Sequence, residues 1–466
     1  MLTMTIDGKA AETVAAFDVV NPATGEVADT APECTADQLD AAMTSAQRAQ
    51  REWRTDAAAR SSAMLALAEA ITTHADELST LLQLETGKPT GVAAVEPGIC
   101  AAWLQYYASL ELSREVLQDD DTALIELVHR PHGVVAAITP WNFPIALGMW
   151  KIAPALRAGN AVVIKPSPFT PLAVLRLGQI MGDVLPPGVV NTVTGGDELG
   201  AAMVAHPVPR KVSFTGSIAG GKKVALSAAA DLKRVTLELG GNDAAIILDD
   251  ADVASTVARL LPAAFFNSGQ ACALPKRIFA PANRYEEFVD AFAAAANGMQ
   301  VGDPIAETTH LGPLSTKPQF ERVGELVDEA IAGGARVAAG GHRVDRAGYF
   351  FEPTVLADIA DSARIVEEEQ FGLALPILRY DSVDEAVRRA NDTEYGLCGS
   401  VWSSDADRAT TVVEQLEVGT AYVNTHAVLP PNVQFGGAKA SGLGVENGVP
   451  GLLSFTEAQV VHRARV

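Results

Sequence analysis

The chain predicts an α/β fold built on parallel sheets with helices on both faces. Three observations carry this expectation. Short apolar strands alternate with helical segments along most of the 466 residues, the pattern of strands buried on both sides by crossover helices. The alternation resumes after Gly240-Gly241, and a chain this long outgrows one core, so two large domains meet near Gly240. Hydrophobic residues make up 48% of the sequence, enough to fill such interiors.

In chain order, residues 37–53 space Leu39, Ala42, Ala46, Ala49 and Trp53 along one helical face. A long helical region follows over 56–84. Val134-Val135-Ala136-Ala137-Ile138-Thr139 is a short apolar strand stopped by Pro140. Ala161-Val162-Val163-Ile164-Lys165 is the next, followed by Pro166 and a helix from about 171 to 184. Val189–Val193, Lys211–Thr215 and Arg234–Leu239 continue the strand series. Ala244-Ala245-Ile246-Ile247-Leu248 opens the second set, which runs to about Thr420. Parallel sheets of this kind bind ligands beyond the carboxyl ends of their strands.

Composition excludes several functions. A formal net charge of −22 opposes nucleic-acid binding. It leaves phosphate-bearing cofactors open, because backbone amides bind phosphate without net positive charge. Cys34, Cys100, Cys272 and Cys398 are too scattered for a disulfide framework or a metal finger, so free thiols in a reducing compartment, and no metal, are expected. The start, Met1-Leu2-Thr3-Met4, shows no basic region followed by an apolar run, and no uncharged stretch is long enough to span a bilayer. A cytoplasmic protein without membrane contact is the expectation.

Four positions carry chemistry. Phe266-Asn267-Ser268-Gly269-Gln270-Ala271-Cys272 sets a cysteine among small and polar residues, where a packing cysteine would sit among large apolar ones. Such a thiolate is a strong nucleophile. Pro140-Trp141-Asn142-Phe143-Pro144 holds an amide donor between two prolines at a strand end, as an oxyanion site requires. Phe214-Thr215-Gly216-Ser217-Ile218-Ala219-Gly220-Gly221 runs from strand through a glycine turn into a helix start, which favours phosphate. Leu237-Glu238-Leu239-Gly240-Gly241 places a carboxylate between leucines, where desolvation raises its pKa and suits it to base catalysis. Taken singly, the last three have plain structural readings: a proline-rich turn, a helix cap and a salt-bridged glutamate.

Together, and in this order, these segments resemble the aldehyde dehydrogenase superfamily. Glu367-Glu368-Glu369-Gln370-Phe371-Gly372, Asn391 with Tyr395-Gly396-Leu397, and Phe435-Gly436-Gly437-Ala438-Lys439-Ala440-Ser441-Gly442 extend the likeness from about residue 15 to the C-terminus. The resemblance implies a Rossmann-like cofactor domain (1–114 and 132–240), an α/β catalytic domain (241–440) and a small β oligomerisation arm (115–131 and 452–466). It implies oxidation of an aldehyde to a carboxylic acid with NAD or NADP. Cys272 would attack the aldehyde carbon. The Asn142 amide and the Cys272 backbone N–H would hold the oxyanion, and Glu238 would activate water against the thioester.

For the cofactor, the resemblance points to Trp141, Lys165, Ser167, Gly216, Ser217, Gly221, Glu369 and Phe371. NAD is slightly favoured. Pro168 stands where many NAD-preferring members have a ribose-binding glutamate, which leaves NADP open. Leu373 replaces a usual proline and alters a loop. For the substrate, the implied tunnel comprises Phe143, Leu147, Trp150, Ala271, Ala273, His426, Ala427, Leu429 and Phe435. No arginine occurs in these stretches, so an uncharged aliphatic or aromatic aldehyde is expected. Trp150 and Phe143 also leave open a quaternary ammonium held by cation–π contact. Ala123–His129 and Gln459–Val466 read as strands of the arm, implying a homodimer or homotetramer. Two other functions remain: CoA-acylating dehydrogenation, against which Glu238 speaks, and a non-catalytic protein retaining the fold.

Overall fold

The computed structural model describes residues 2–465; Met1 and Val466, which the expected segments include, lie outside them. Five parallel strands form the centre of the first sheet, in the spatial order Arg234–Glu238, Lys211–Thr215, Val134–Ile138, Ala161–Lys165 and Val190–Thr192. Short antiparallel strands, Gly442–Leu443 and Met4–Ile6 with Lys9–Ala11, close its edges. Alternate residues face opposite sides. Val135, Ala137, Val162 and Ile164 pack with the helices Ala57–Thr73, Val95–Ser109 and Pro144–Ala158. Val134, Ala136, Ala161 and Val163 pack with Ala36–Trp53 and Ile218–Ala229. Every residue of these two strands is buried, as their uninterrupted apolar sequence requires.

The region 56–84 is two helices, Ala57–Thr73 and Ala75–Thr86, rather than one. Thr72 and Thr73 turn their hydroxyls back onto the Ala68 and Glu69 carbonyls, which weakens a helix. His74 then leaves the helical region at φ −101°, ψ 17°, and Asp76 and Glu77 supply the acidic first turn of the next helix.

The second sheet has seven strands: Arg336–Ala339, Thr354–Ala357, Ala374–Tyr380, Pro275–Pro281, Asp243–Ile247, Cys398–Trp402 and Thr420–Val423. All pairings are parallel except that of the Arg336–Ala339 edge. The chain passes from Glu238, the last residue of its strand, through Leu239–Asn242 to Asp243, the first residue of the next. The carboxyl ends of one sheet therefore meet the amino ends of the other. Ala123–Pro131 pairs along its whole length with Thr456–Ala464, and Glu115–Asp119 completes a separate three-stranded sheet. Among the described residues, no helix is long and apolar enough to cross a membrane.

Candidate active site

In the first sheet, strand order reverses between Val134–Ile138 and Lys211–Thr215, and ligand crevices form at such reversals. Pro140–Asn142 and Gly216–Ser217 leave the two strands at this point. Pro144 is the first residue of the helix Pro144–Ala158, a position that tolerates its missing N–H. The buried Glu96 carboxylate accepts from the Ala146 N–H at 3.1 Å and pairs with the buried Lys88 ammonium. The backbone carrying Asn142 and Phe143 is thus tied to the helix Val95–Ser109.

Cys272 ends a turn held by its own polar groups and by bonds with Asn142, Lys276, Gly312 and Ser315 around it. Asn267, Ser268 and Gly269 all have positive φ, at 51°, 56° and 75°. Gly269 is obligatory: a Cβ there would lie 2.2 Å from the Gly372 carbonyl oxygen. The Asn267 amide donates to the Gln270 carbonyl at 3.2 Å, and Gln270 Nε2 returns a bond to the Asn267 carbonyl at 3.0 Å. Lys276 Nζ donates to the Ala271 and Cys272 carbonyls at 2.7 and 3.2 Å. Asn267 and Ser268 strain the segment by lying in the left-handed region, and the surrounding hydrogen bonds hold it there.

Two cavities open on this thiol. The smaller, about 290 Å³, is lined by Phe143, Leu147, Trp150, Ala271, Ala273, Ala427, Leu429 and Phe435 among others. The larger, about 650 Å³, is lined by Trp141, Gly216, Ser217, Glu369 and Phe371 among others. Cys272, Asn142, Leu147 and Thr215 border both. Glu238 borders only the smaller.

Asn142 Nδ2 donates one hydrogen to the Gln270 carbonyl at 3.0 Å. Its second hydrogen remains for a ligand at the junction. Burial pushes the Cys272 thiol up to about 12, with Glu369, Glu238 and Asp243 adding to the rise and Lys276 opposing it. Burial also raises Glu238 well above the carboxylate range; Glu446 raises it further and Lys151 lowers it. Neither Glu238 oxygen has a hydrogen-bond partner among the described residues. Behind it, Lys151 Nζ bridges Glu446 at 2.6 Å and Thr215 at 2.7 Å, and Ser213 donates to Glu446 at 3.1 Å.

The aromatic walls are already engaged. Trp150 stacks on Trp103 at 5.4 Å and meets the Phe435 ring at 5.8 Å. Phe143 stacks on Phe266, and Lys88 Nζ lies 3.9 Å from its centroid. No Lys or Arg lines the small cavity, while Glu238 and Glu446 both do.

Four expected positions lie elsewhere. His426 does not line the tunnel; its buried ring is bound to Ser400 and Asp243 on two neighbouring strands of the second sheet. Lys165 is buried at its strand end with Nζ on the Pro166 carbonyl at 3.1 Å, and burial lowers it to about 8. Ser167 receives the Phe169 N–H in the adjoining turn. Neither borders the larger cavity. Gly221 faces Leu239, where a Cβ would come within 2.5 Å, so it serves helix packing.

Sequence reading missed Lys151, Glu446, Trp103 and Phe266, and in the larger cavity Gln319, Arg322, Glu394 and Tyr395. Lys151 had a signal: it is a lone charge in the apolar run Met149-Trp150-Lys151-Ile152-Ala153. Trp103 and Gln319 had none, since they sit on helices far from any motif.

The larger cavity suits a dinucleotide. Ser217 caps the helix Ile218–Ala229, its Oγ accepting from Gly220 N at 3.1 Å, and helix N-termini bind phosphate. Gly216 and Gly240 keep its wall thin, for a Cβ would strike Phe214 at 2.6 Å or Glu369 Oε2 at 2.4 Å. Across it, Trp141 and Phe371 meet edge to face at 5.3 Å.

Residues 9–461 match the model of the aldehyde dehydrogenase family. The chain belongs to the aldehyde dehydrogenase family. It is 42% identical to a geranial dehydrogenase of Castellaniella defragrans, over 92% of each chain. Among solved structures, it is similar to an aldehyde dehydrogenase mutant from Bacillus cereus, at 36% identity, 100% coverage of this chain, 97% of the other and TM-score 0.97. It is likewise similar to a betaine aldehyde dehydrogenase of Staphylococcus aureus in complex with NAD+, at 33% identity, 100% and 97% coverage and TM-score 0.96. The α/β fold with parallel sheets is that of these enzymes, and the reaction class is NAD(P)-dependent oxidation of an aldehyde.

Proposed function

We propose that this enzyme oxidises an uncharged, largely apolar aldehyde to its acid at Cys272, and releases the acid by hydrolysis. The observation that carries this is the junction: Cys272 and Asn142 border both cavities, while Glu238 borders only the apolar one. The aldehyde enters the small cavity and the cofactor the larger.

Cys272 sits at the junction as a neutral thiol, because its pKa lies near 12. As sulfur bonds to the carbonyl carbon, the thiol proton passes out through the cavity to bulk water, and Glu238, whose burial raises its affinity for a proton, stays free for the later step. The free Asn142 amide hydrogen and the Cys272 N–H hold the resulting oxyanion. Each such donor lowers the barrier by about 3–4 kcal/mol. Trp141, Gly216, Ser217, Glu369 and Phe371 would hold NAD(P), which would supply the acceptor for the hydride lost from the thiohemiacetal carbon. Lys165 and Ser167 do not border the larger cavity; the family resemblance would have the cofactor's adenosine end reach past its wall to them. Glu238 then takes a proton from water, which adds to the thioester, and Cys272 leaves as the acid forms. Glu446 and Lys151 stand behind Glu238 and set its affinity for the proton.

The absence of Lys and Arg from the small cavity's wall disfavours an anionic aldehyde. The prior engagement of Trp150 and Phe143 with Trp103 and Lys88 disfavours a quaternary ammonium. The name of the Castellaniella relative fits an apolar substrate. The first sheet acts as cofactor-binding domain (1–114 and 132–240) and 241–440 as catalytic domain. The three-stranded arm (115–131 and 452–466) joins subunits in a cytoplasmic homodimer or homotetramer through its exposed outer strand, Thr456–Ala464. A panel of aldehydes assayed separately with NAD and NADP tests the reading. Medium-chain and aromatic aldehydes should outpace succinic semialdehyde and betaine aldehyde; the reverse order overturns it.

A further inference from the structure

His426 lies outside the tunnel wall, yet Ala427 and Leu429, its near neighbours, line that wall. Its side chain is wholly buried, as is that of Asp243. Ser400 Oγ accepts from Trp402 Nε1 at 2.9 Å, so its own hydrogen is free to donate to His426 Nδ1, also at 2.9 Å. The ring's remaining proton then sits on Nε2, 3.4 Å from Asp243 Oδ2. Ser400 and Asp243 belong to neighbouring parallel strands of the second sheet. The ring is therefore fixed to the sheet at both nitrogens.

Tyr422 secures the other side of Ala427. Its ring packs on the imidazole at 5.2 Å, and its hydroxyl donates to the Val428 carbonyl at 3.0 Å. With positions 426 and 428 pinned, Ala427 is held at φ 60°, a region L-residues rarely adopt. The same anchor reaches the nucleophile's surroundings. Asp243 Oδ1 accepts from Cys398 N at 3.0 Å. A Cβ on Gly241 would lie 2.9 Å from that oxygen and 2.7 Å from the Cys272 carbonyl oxygen. One carboxylate thus adjoins both the tunnel loop's clamp and the main chain at Cys272.

We propose that His426, clamped between Ser400 and Asp243, is a specificity-positioning residue: it fixes Ala427 and Leu429 at a set spacing from Cys272 and so sets how closely the tunnel fits an aldehyde's apolar chain. The inference rests on the apolar-aldehyde reading above. It concerns selectivity among chain lengths, not bond making at sulfur.

The test compares kcat/KM for decanal with that for propanal in the full-length enzyme. His426→Ala should reduce this ratio about tenfold, through KM for decanal, with kcat for propanal, the iodoacetamide reactivity of Cys272 and the Kd for NAD all within about twofold of the parent. His426→Gln, which can still donate to Asp243, should recover part of the ratio. A uniform loss on both aldehydes, or an unchanged ratio in a folded variant, overturns the clamp. Should His426→Ala fail to fold, Tyr422→Phe decides by the same ratio: a fall supports the clamp and no change overturns it. A parent enzyme with no preference for decanal overturns the apolar-tunnel reading instead, and this inference with it.

Discussion

The two cavities that meet at Cys272 are built in different ways. The small one is walled mostly by residues near the strand ends and motifs, together with one loop: Asn142 to Trp150 from one helix start, Ala271 to Leu274 from one turn, and Ala427 to Phe435 from one loop. The large one joins the strand-end runs Pro140–Asn142 and Thr215–Ala219 of the first sheet to single residues from the second half of the chain, such as Gln319, Arg322, Glu369 and Tyr395. Contiguous walls hold a defined shape through local backbone geometry. Dispersed walls depend on how the two sheets sit against each other. On the proposed reading, the small cavity would fix the reacting carbon and the large one would hold the cofactor between residues of both halves of the chain.

That contrast can be broken at the residues the cavities share. Cys272→Ala should remove turnover by at least about 10⁴-fold while NAD affinity, read by fluorescence titration, stays within about twofold. Retained dehydrogenase activity would place the nucleophile elsewhere. Asn142→Ala, also at the junction, should lower kcat by about 10²–10³-fold with little change in KM, as loss of an oxyanion donor does. A change confined to KM would make Asn142 a binding residue only.

A third substitution touches only the small cavity's side. The Glu446 charge raises Glu238, and Lys151 lowers it. Glu446→Gln removes the first influence and leaves the second, so the acidic limb of the pH–rate profile should move to lower pH while NAD affinity holds. Because Lys151 then loses its buried partner, stability should fall by about 3–5 kcal/mol, visible as a lower Tm. A limb that shifts upward or stays put would detach Glu446 from the base.

The same contrast explains what was legible beforehand. Cys272, Asn142, Glu238 and Phe143 each sit in a local motif, with Leu147 and Ala273 just beyond one; adjacency in sequence gave adjacency in space. The apolar strands were legible because burial on both faces permits little else. His426 misled because it is next to a wall residue in the chain, while its side chain turns inward to Ser400 and Asp243. Gly221 misled because a glycine at a helix start serves phosphate approach or close packing equally well, and only Leu239's position distinguishes them. Trp103 and Gln319 enter the site through helix packing, which no short pattern encodes. The break at His74 rests on threonine back-bonding that a helical periodicity count overlooks.

Glu238→Gln offers the most direct test of covalent chemistry at the junction. Mixed with aldehyde and NAD, this variant should give a burst of reduced cofactor close to one per active site and then stall. Mass spectrometry of the quenched enzyme should find the acyl group on the peptide carrying Cys272. A burst with that peptide unmodified, or steady turnover equal to the parent's, would contradict the assignment of Cys272 as acyl carrier and Glu238 as the base that frees it.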